Sequence, residues 1–200
     1  MDEKLMLLGD EAIAQAAIDA GISGIYAYPG TPSTEITEYV MQSREAKSGS
    51  IRAGWSTNEK TAMESALGMS YAGKRTMVCM KHVGLNVAAD PFMNSSITGA
   101  NGGLIVVAAD DPSMHSSQNE QDSRFYADFA LLPVFEPSNQ QEAYDMAFAG
   151  LLSCFSFRTA LCINASSARI SSGYSFTRRL NRESASAYFP CFSSNPTCIC

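Results

Sequence analysis

Gly103-Leu104-Ile105-Val106-Val107-Ala108-Ala109 is an unbroken apolar run that opens directly into Asp110-Asp111-Pro112-Ser113-Met114-His115-Ser116-Ser117-Gln118-Asn119-Glu120-Gln121-Asp122. An apolar stretch of this length without alternation reads as a strand buried on both faces. Of the next thirteen residues only Pro112 and Met114 lack a polar side chain. Open parallel sheets present ligand sites in this way, at the carboxyl ends of their strands. A long solvated loop would account for the same residues, so the reading turns on whether similar junctions occur elsewhere.

Three do, all upstream. Gly24 to Tyr28 reads as a short strand ending in Pro29-Gly30-Thr31-Pro32-Ser33, where Thr31 suits a helix cap and Pro32 a first helical turn. Ile51 to Trp55 is a second strand, followed by Ser56-Thr57-Asn58-Glu59-Lys60, with Asn58 as the cap of a helix that stops near Gly73. Thr76 to Met80 is a third, followed by Lys81-His82-Val83-Gly84-Leu85-Asn86. An alanine-rich helix over 11–18 precedes them, and a fifth strand over Leu131 to Phe135 follows. Ser138 and Gln141 then have capping-box spacing before a last helix over 143–152. Strands alternating with helices imply an α/β fold, a doubly wound, mostly parallel sheet with helices on both faces. In such a sheet the four strand-end cassettes emerge on one edge and can meet around one ligand.

Composition narrows the classes. The 200 residues carry a formal charge of -6 and no basic stripe, which argues against a nucleic-acid partner. There is no apolar run of membrane-spanning length. The acidic start Met1-Asp2-Glu3-Lys4 lacks the features of a signal peptide, so a cytoplasmic protein is expected. The charge is uneven: residues 1–152 have a net of -10 and residues 153–200 a net of +4. The latter stretch also holds five of the six cysteines and eleven serines. This change of vocabulary predicts a first domain over 1–152 and an atypical, poorly ordered tail over 153–200. The tail has no histidine, and its cysteines lack the spacing of a metal site.

Each candidate side chain has a plainer reading beside the functional one. Helix capping alone explains Thr31, Pro32 and Ser33, whereas the free N–H groups of a helix start could also hold an anion. The helix macrodipole alone accounts for Glu59, whereas a carboxylate there could share a proton with a heterocyclic nitrogen. His82 and His115 are proton donors, partners of a substrate carboxylate, or ordinary loop histidines. His115, Glu120 and Asp122 have the ligand types of a metal site without a recognised spacing. No P-loop, G-x-G-x-x-G or G-x-S-x-G motif is present.

Taken together, Tyr-Pro-Gly-Thr-Pro-Ser-Thr-Glu-Ile at 28–36, Trp-Ser-Thr-Asn-Glu-Lys at 55–60, Met-Lys-His-Val-Gly-Leu-Asn-Val-Ala-Ala-Asp-Pro at 80–91 and the run over 109–124 resemble, in order and spacing, the alpha subunit of indolepyruvate:ferredoxin oxidoreductase. The resemblance covers about residues 5–152, the pyrimidine-binding thiamine diphosphate domain of that subunit. It implies oxidative decarboxylation of aryl pyruvates to the acyl thioester of coenzyme A, with electrons passing through [4Fe-4S] clusters to ferredoxin. It also implies thiamine diphosphate with Mg2+ as cofactor, a beta subunit as partner, and a homo-oligomer. By the resemblance Glu59 bonds the aminopyrimidine ring, promoting the imino tautomer that takes the thiazolium proton. Pro29, Gly30 and Asn86 would join it at the cofactor, and Thr31, His82 and His115 would lie on the substrate side, with no step assigned to either histidine.

The departures bound the claim. No Gly-Asp-Gly followed by asparagine is present to hold magnesium and diphosphate, and no C-x₂-C-x₂-C spacing for a cluster. Beyond about Leu152 the family's continuation does not follow, and the tail resembles out-of-frame translation, a hypothesis that the coding DNA in its other frames would test. The expectation is a truncated N-terminal part of such an enzyme, inactive alone. A non-catalytic module binding a small ligand, and an interaction subunit completed by partner chains, are the other classes.

Overall fold

The structure is a computed structural model, and it describes residues 3–157, 160–166 and 174–178. Six parallel strands form the main sheet: β2 (Gly24–Ala27), β3 (Arg52–Trp55), β4 (Thr76–Lys81), β5 (Leu104–Asp110), β6 (Val134–Phe135) and β7 (Ala160–Ser166). Their order is β3-β2-β4-β5-β7-β6. A separate antiparallel pair joins β1 (Glu3–Leu7) to β8 (Tyr174–Arg178) and was not foreseen in the sequence.

The helices are α1 (Gly9–Asp19), α2 (Thr34–Gln42), α3 (Arg44–Lys47), α4 (Glu59–Tyr71), α5 (His82–Val87), α6 (Ala89–Thr98), α7 (Arg124–Phe129) and α8 (Gln140–Phe157). Successive strand residues point to opposite faces, and the core divides accordingly. Met77, Cys79, Ile105, Val107, Leu161 and Ile163 pack on one face with α1, α2 and α8. Val78, Met80, Val106, Ala108 and Cys162 pack on the other with α4, α6 and α7. All seven residues of β5 are buried, as a strand covered on both faces requires. Cys79, Cys154 and Cys162 are buried free thiols. Burial pushes the last two up to about 12, so none is a poised nucleophile.

The doubly wound reading holds, with local corrections. The expected change of unit at Leu152 falls inside α8, and β7 beyond it lies within the sheet, bonded to β5 on one side and β6 on the other. The run Ala160-Leu161-Cys162-Ile163 has no alternation because both its faces are covered. The rest of the expected tail, 167–173 and 179–200, lies outside the described residues. The strand expected from Leu131 shrinks to Val134–Phe135, because Leu131 takes a left-handed backbone (φ 55°) and stays exposed. Ser138 and Gln141 do not form the capping box. Asn139 Oδ1 accepts the Glu142 N–H at 3.0 Å, while Glu142 accepts from the N–H and hydroxyl of Ser138.

Strand β2 leads to α2 on one face, and its neighbour β4 leads to α5 and α6 on the other. A crevice outside the carboxyl ends of two such strands is where open α/β sheets bind ligands. It lies between the first and third cassettes.

At the same edge Asp10 opens α1. Burial, then the charges of Glu35 and Glu11, raise its carboxyl to about 7, against about 3.9 in an unfolded chain. The folded state thus holds this proton more tightly, and its stabilising contribution is full below about pH 4 and is lost as pH rises to about 7. Asp10→Asn is expected to leave the melting temperature unchanged near pH 4 and to raise it by about 5 °C at pH 8. Thermal melts across that range check the slope.

Candidate functional site at the strand edge

The first cassette is closed by its own side chains. Thr34 Oγ1 accepts the Gly30 N–H at 2.9 Å, and Ser33 Oγ donates to the Gly30 carbonyl at 2.8 Å. Helix α2 therefore begins at Thr34, and Thr31 is not its cap; the Thr31-Pro32 peptide is cis. Pro29 and Thr31 are exposed, and Thr31 keeps its hydroxyl free of protein partners among the described residues.

In the second cassette Asn58 caps α4 as expected, its Oδ1 accepting the Thr61 N–H at 2.8 Å and the Thr61 hydroxyl at 3.0 Å. This puts Glu59 at the first helical position, where the helix dipole favours its negative charge. Among the described residues no hydrogen bond or ion pair engages its carboxylate. Its side chain extends over Gly84.

The third cassette is not a loop: from His82 it is the short helix α5. His82 is buried, 1% exposed, and its Nε2 lies 2.9 Å from the Asn119 carbonyl oxygen. A carbonyl only accepts, so Nε2 carries the proton and Nδ1 is left buried without a partner. His82 thus fastens the fourth cassette and does not face solvent. Asn86, at the exposed end of α5, accepts from the Tyr126 hydroxyl at 2.5 Å.

The fourth cassette is organised by two carboxylates. Asp110 accepts from the Ser123 N–H and hydroxyl and from Asn164 Nδ2, the last at 2.7 Å from strand β7. Asp111 gathers the His115 N–H (3.1 Å), the Ser116 N–H (2.8 Å) and the hydroxyls of Ser116 (3.2 Å) and Ser117 (2.8 Å). Ser113 and Met114 turn the chain with left-handed backbones (φ 68° and 55°), a cost these contacts offset. The tip carries His115 exposed.

Cross-links then join the cassettes. The Ser116 hydroxyl donates to the Thr31 carbonyl at 3.0 Å, and Lys81 Nζ donates to the Ser116 carbonyl at 2.9 Å. The Lys81 stem also lies against Gly30, where an added Cβ would sit 3.1 Å from Lys81 Cδ. Nothing in the sequence assigns a role to Lys81 or Ser116, since a donor that meets a main-chain carbonyl leaves no pattern. Asn164 had no signal at all, because it lies in the segment whose composition departs from the rest.

A cavity of about 400 Å³ opens nearby, between Asp110, Glu120, Asp122, Arg124, Glu136 and Asn164. Its arginine is clamped by Asp122 at 2.6 Å and Glu136 at 2.8 Å. None of Thr31, Glu59, His82 and His115 lines it, so it is distinct from the crevice between β2 and β4. No group of three or more His, Cys, Asp or Glu side chains among the described residues is arranged to hold a metal, so His115, Glu120 and Asp122 do not form the site their types allowed.

Burial alone would raise the Asp111 pKa, but its donors, led by the Ser116 N–H, outweigh it and hold the carboxyl at about 2. Its contribution to the loop is full above about pH 4 and is lost as pH falls toward 2. Asp111→Ala is expected to lower hydrogen-exchange protection of the Ser116 amide at least about tenfold at pH 7, the scale of losing a hydrogen bond to a charged group.

The chain matches the family described as pyruvate flavodoxin/ferredoxin oxidoreductase, thiamine diphosphate-binding, over residues 15–193. It is 58% identical over 144 residues to the indolepyruvate oxidoreductase subunit IorA of Pyrococcus horikoshii, covering 72% of this chain and 22% of that subunit. It is 56% identical over 147 residues to IorA of Archaeoglobus fulgidus, covering 72% and 24%. The chain thus spans less than a quarter of the length of these relatives. In fold it is similar to 2-oxoglutarate:ferredoxin oxidoreductase from Magnetococcus marinus, solved with 2-oxoglutarate, coenzyme A and succinyl-CoA bound. The TM-score is 0.75 at 20% identity, over 88% of this chain and 32% of that one. No helix among the described residues is long and apolar enough to cross a membrane. With a family match that runs through the cassettes and beyond β7, the chain belongs to the thiamine diphosphate-binding domains of the pyruvate flavodoxin/ferredoxin oxidoreductases.

Proposed function

We propose that this chain supplies the aminopyrimidine side of a thiamine diphosphate site in a 2-oxoacid:ferredoxin oxidoreductase that acts on indolepyruvate and related aryl pyruvates. The observation that carries the reading is the Glu59 carboxylate, placed at the strand edge by a capped helix and left without a protein partner among the described residues. Such a carboxylate fits a ring nitrogen that must be hydrogen-bonded and protonated in a dry setting. Thiamine diphosphate, when bound, supplies a thiazolium carbon nucleophile for the carbonyl of the 2-oxo acid.

The chain's own residues then have distinct tasks. Glu59 holds the proton at the pyrimidine nitrogen. Pro29 and Gly30 border the ring, and the Lys81 stem takes up the space where a Cβ on Gly30 would stand. Asn86 is exposed at the end of α5, and its amide nitrogen has no partner among the described residues, so it can donate. Thr31 and His115 are the exposed polar groups suited to the carboxylate end of the substrate, and His82 holds the loop that carries His115.

The ligands for the diphosphate and Mg2+, the [4Fe-4S] clusters, and the contacts to coenzyme A, ferredoxin and a beta subunit belong, in this reading, to other segments or chains of a homo-oligomeric assembly. Thiamine diphosphate should therefore bind the 200-residue chain weakly and with little dependence on Mg2+. Calorimetry is expected to show Glu59→Ala lowering that affinity at least about tenfold, some 1.4 kcal/mol, with an unchanged melting temperature. Equal affinity in the variant would overturn the assignment of Glu59. Turnover of indolepyruvate with coenzyme A and ferredoxin by the chain alone would overturn the half-site reading.

A further inference from the structure

We propose that Gly84 is a positioning residue for Glu59: the absence of a Cβ on α5 creates the space that the carboxyl occupies. A Cβ built at Gly84 would lie 2.7 Å from Glu59 Cγ, 2.7 Å from its Oε1 and 3.0 Å from its Cδ. Carbon atoms in contact ordinarily stand about 3.5–4.0 Å apart, so the carboxyl and a methyl group cannot share this place.

Backbone conformation does not call for glycine here. Gly84 lies inside a helix and is not among the residues with a positive φ. In that setting glycine is about 1 kcal/mol less favourable than alanine. Of the other helical glycines, Gly68 in α4 has open space where its Cβ would be, and a Cβ at Gly150 in α8 would meet only apolar side chains, Leu161 Cδ2 at 2.5 Å first; at Gly84 a carboxylate side chain fills the place. At Gly84 the three near atoms all belong to the end of one flexible side chain, with no backbone among them. An added methyl would displace the Glu59 carboxyl and leave the core intact.

Neither helix backbone can simply move aside. The first turn of α4 is pinned by the two hydrogen bonds to Asn58, which fixes the Glu59 backbone. Helix α5 is tied at its start by His82 to Asn119 and near its end by Asn86 to Tyr126. The strain of a methyl group therefore falls on the Glu59 side-chain torsions.

The functional weight of this inference rests on the proposed role of Glu59, but the placement of the carboxyl does not. The test compares the intact chain with Gly84→Ala, using the Glu59 carboxyl carbon resonance and calorimetry with thiamine diphosphate. The expected result is a shifted Glu59 resonance, a melting temperature equal or higher, and an affinity lowered at least about tenfold. Adding Glu59→Asp to Gly84→Ala should recover part of that affinity, because the shorter side chain withdraws from the methyl, although Glu59→Asp alone lowers it. An unmoved resonance and unchanged affinity would overturn the proposal. If Gly84→Ala lowers the melting temperature, the Glu59→Ala/Gly84→Ala double variant decides: recovery locates the clash at Glu59, and no recovery overturns the proposal. If the unsubstituted chain does not bind thiamine diphosphate, the functional reading fails, and the Glu59 resonance alone settles the placement.

Discussion

Parallel pairing at the centre of the sheet constrains everything around it. β4 is bonded to β2 on one side and β5 on the other, and β5 in turn to β7. With both faces covered, the strands' backbone groups have no water to turn to and must be satisfied by neighbouring strands. Such strands run in the same direction, so their carboxyl ends share an edge and the four cassettes have to leave there. The divergence of β2 and β4 toward opposite faces makes the edge between the first and third cassettes the switch point at which such sheets bind ligands.

That edge is held by contacts to main-chain carbonyls more than by ion pairs. Ser116 bonds to Thr31, Lys81 to Ser116 and His82 to Asn119. Each brings a side chain of one cassette to the backbone of another. Asp110 and Asp111 meanwhile fold the fourth cassette, the first by reaching β7 through Asn164 and the second by collecting four donors within its own loop. Glu59 stands apart as a carboxylate that the described structure does not use for its own support. A charged group spared from structural duty at a ligand-binding edge is the kind of group chemistry requires.

Particular residues show how much was legible beforehand. β5 was readable because a strand covered on both faces must be apolar throughout, and Asn58 because a helix start needs a side-chain acceptor. Lys81 to Asn86 reads as a strand-end loop in the sequence but is the last residue of β4 running into α5, since a six-residue helix shows less than two turns of periodicity. β7 was hidden because its signal is only four apolar residues within a segment of unusual composition. The sequence leaves several roles open to His82, and its bond to the Asn119 carbonyl is visible only in the tertiary structure.

By itself the sequence determined the central strands of the sheet, their four polar ends and the residues able to do chemistry there, because burial on two faces and helix capping depend on local residue types. The tertiary structure decided which of those residues hold one another and which are free. Thr31 lost its role as a cap, His82 became a fastening, and β7 entered the sheet between β5 and β6. The close fit of Glu59 over Gly84 also belongs to the tertiary level. It depends on the distance between two helices whose facing residues lie 25 positions apart along the chain, which no local pattern encodes.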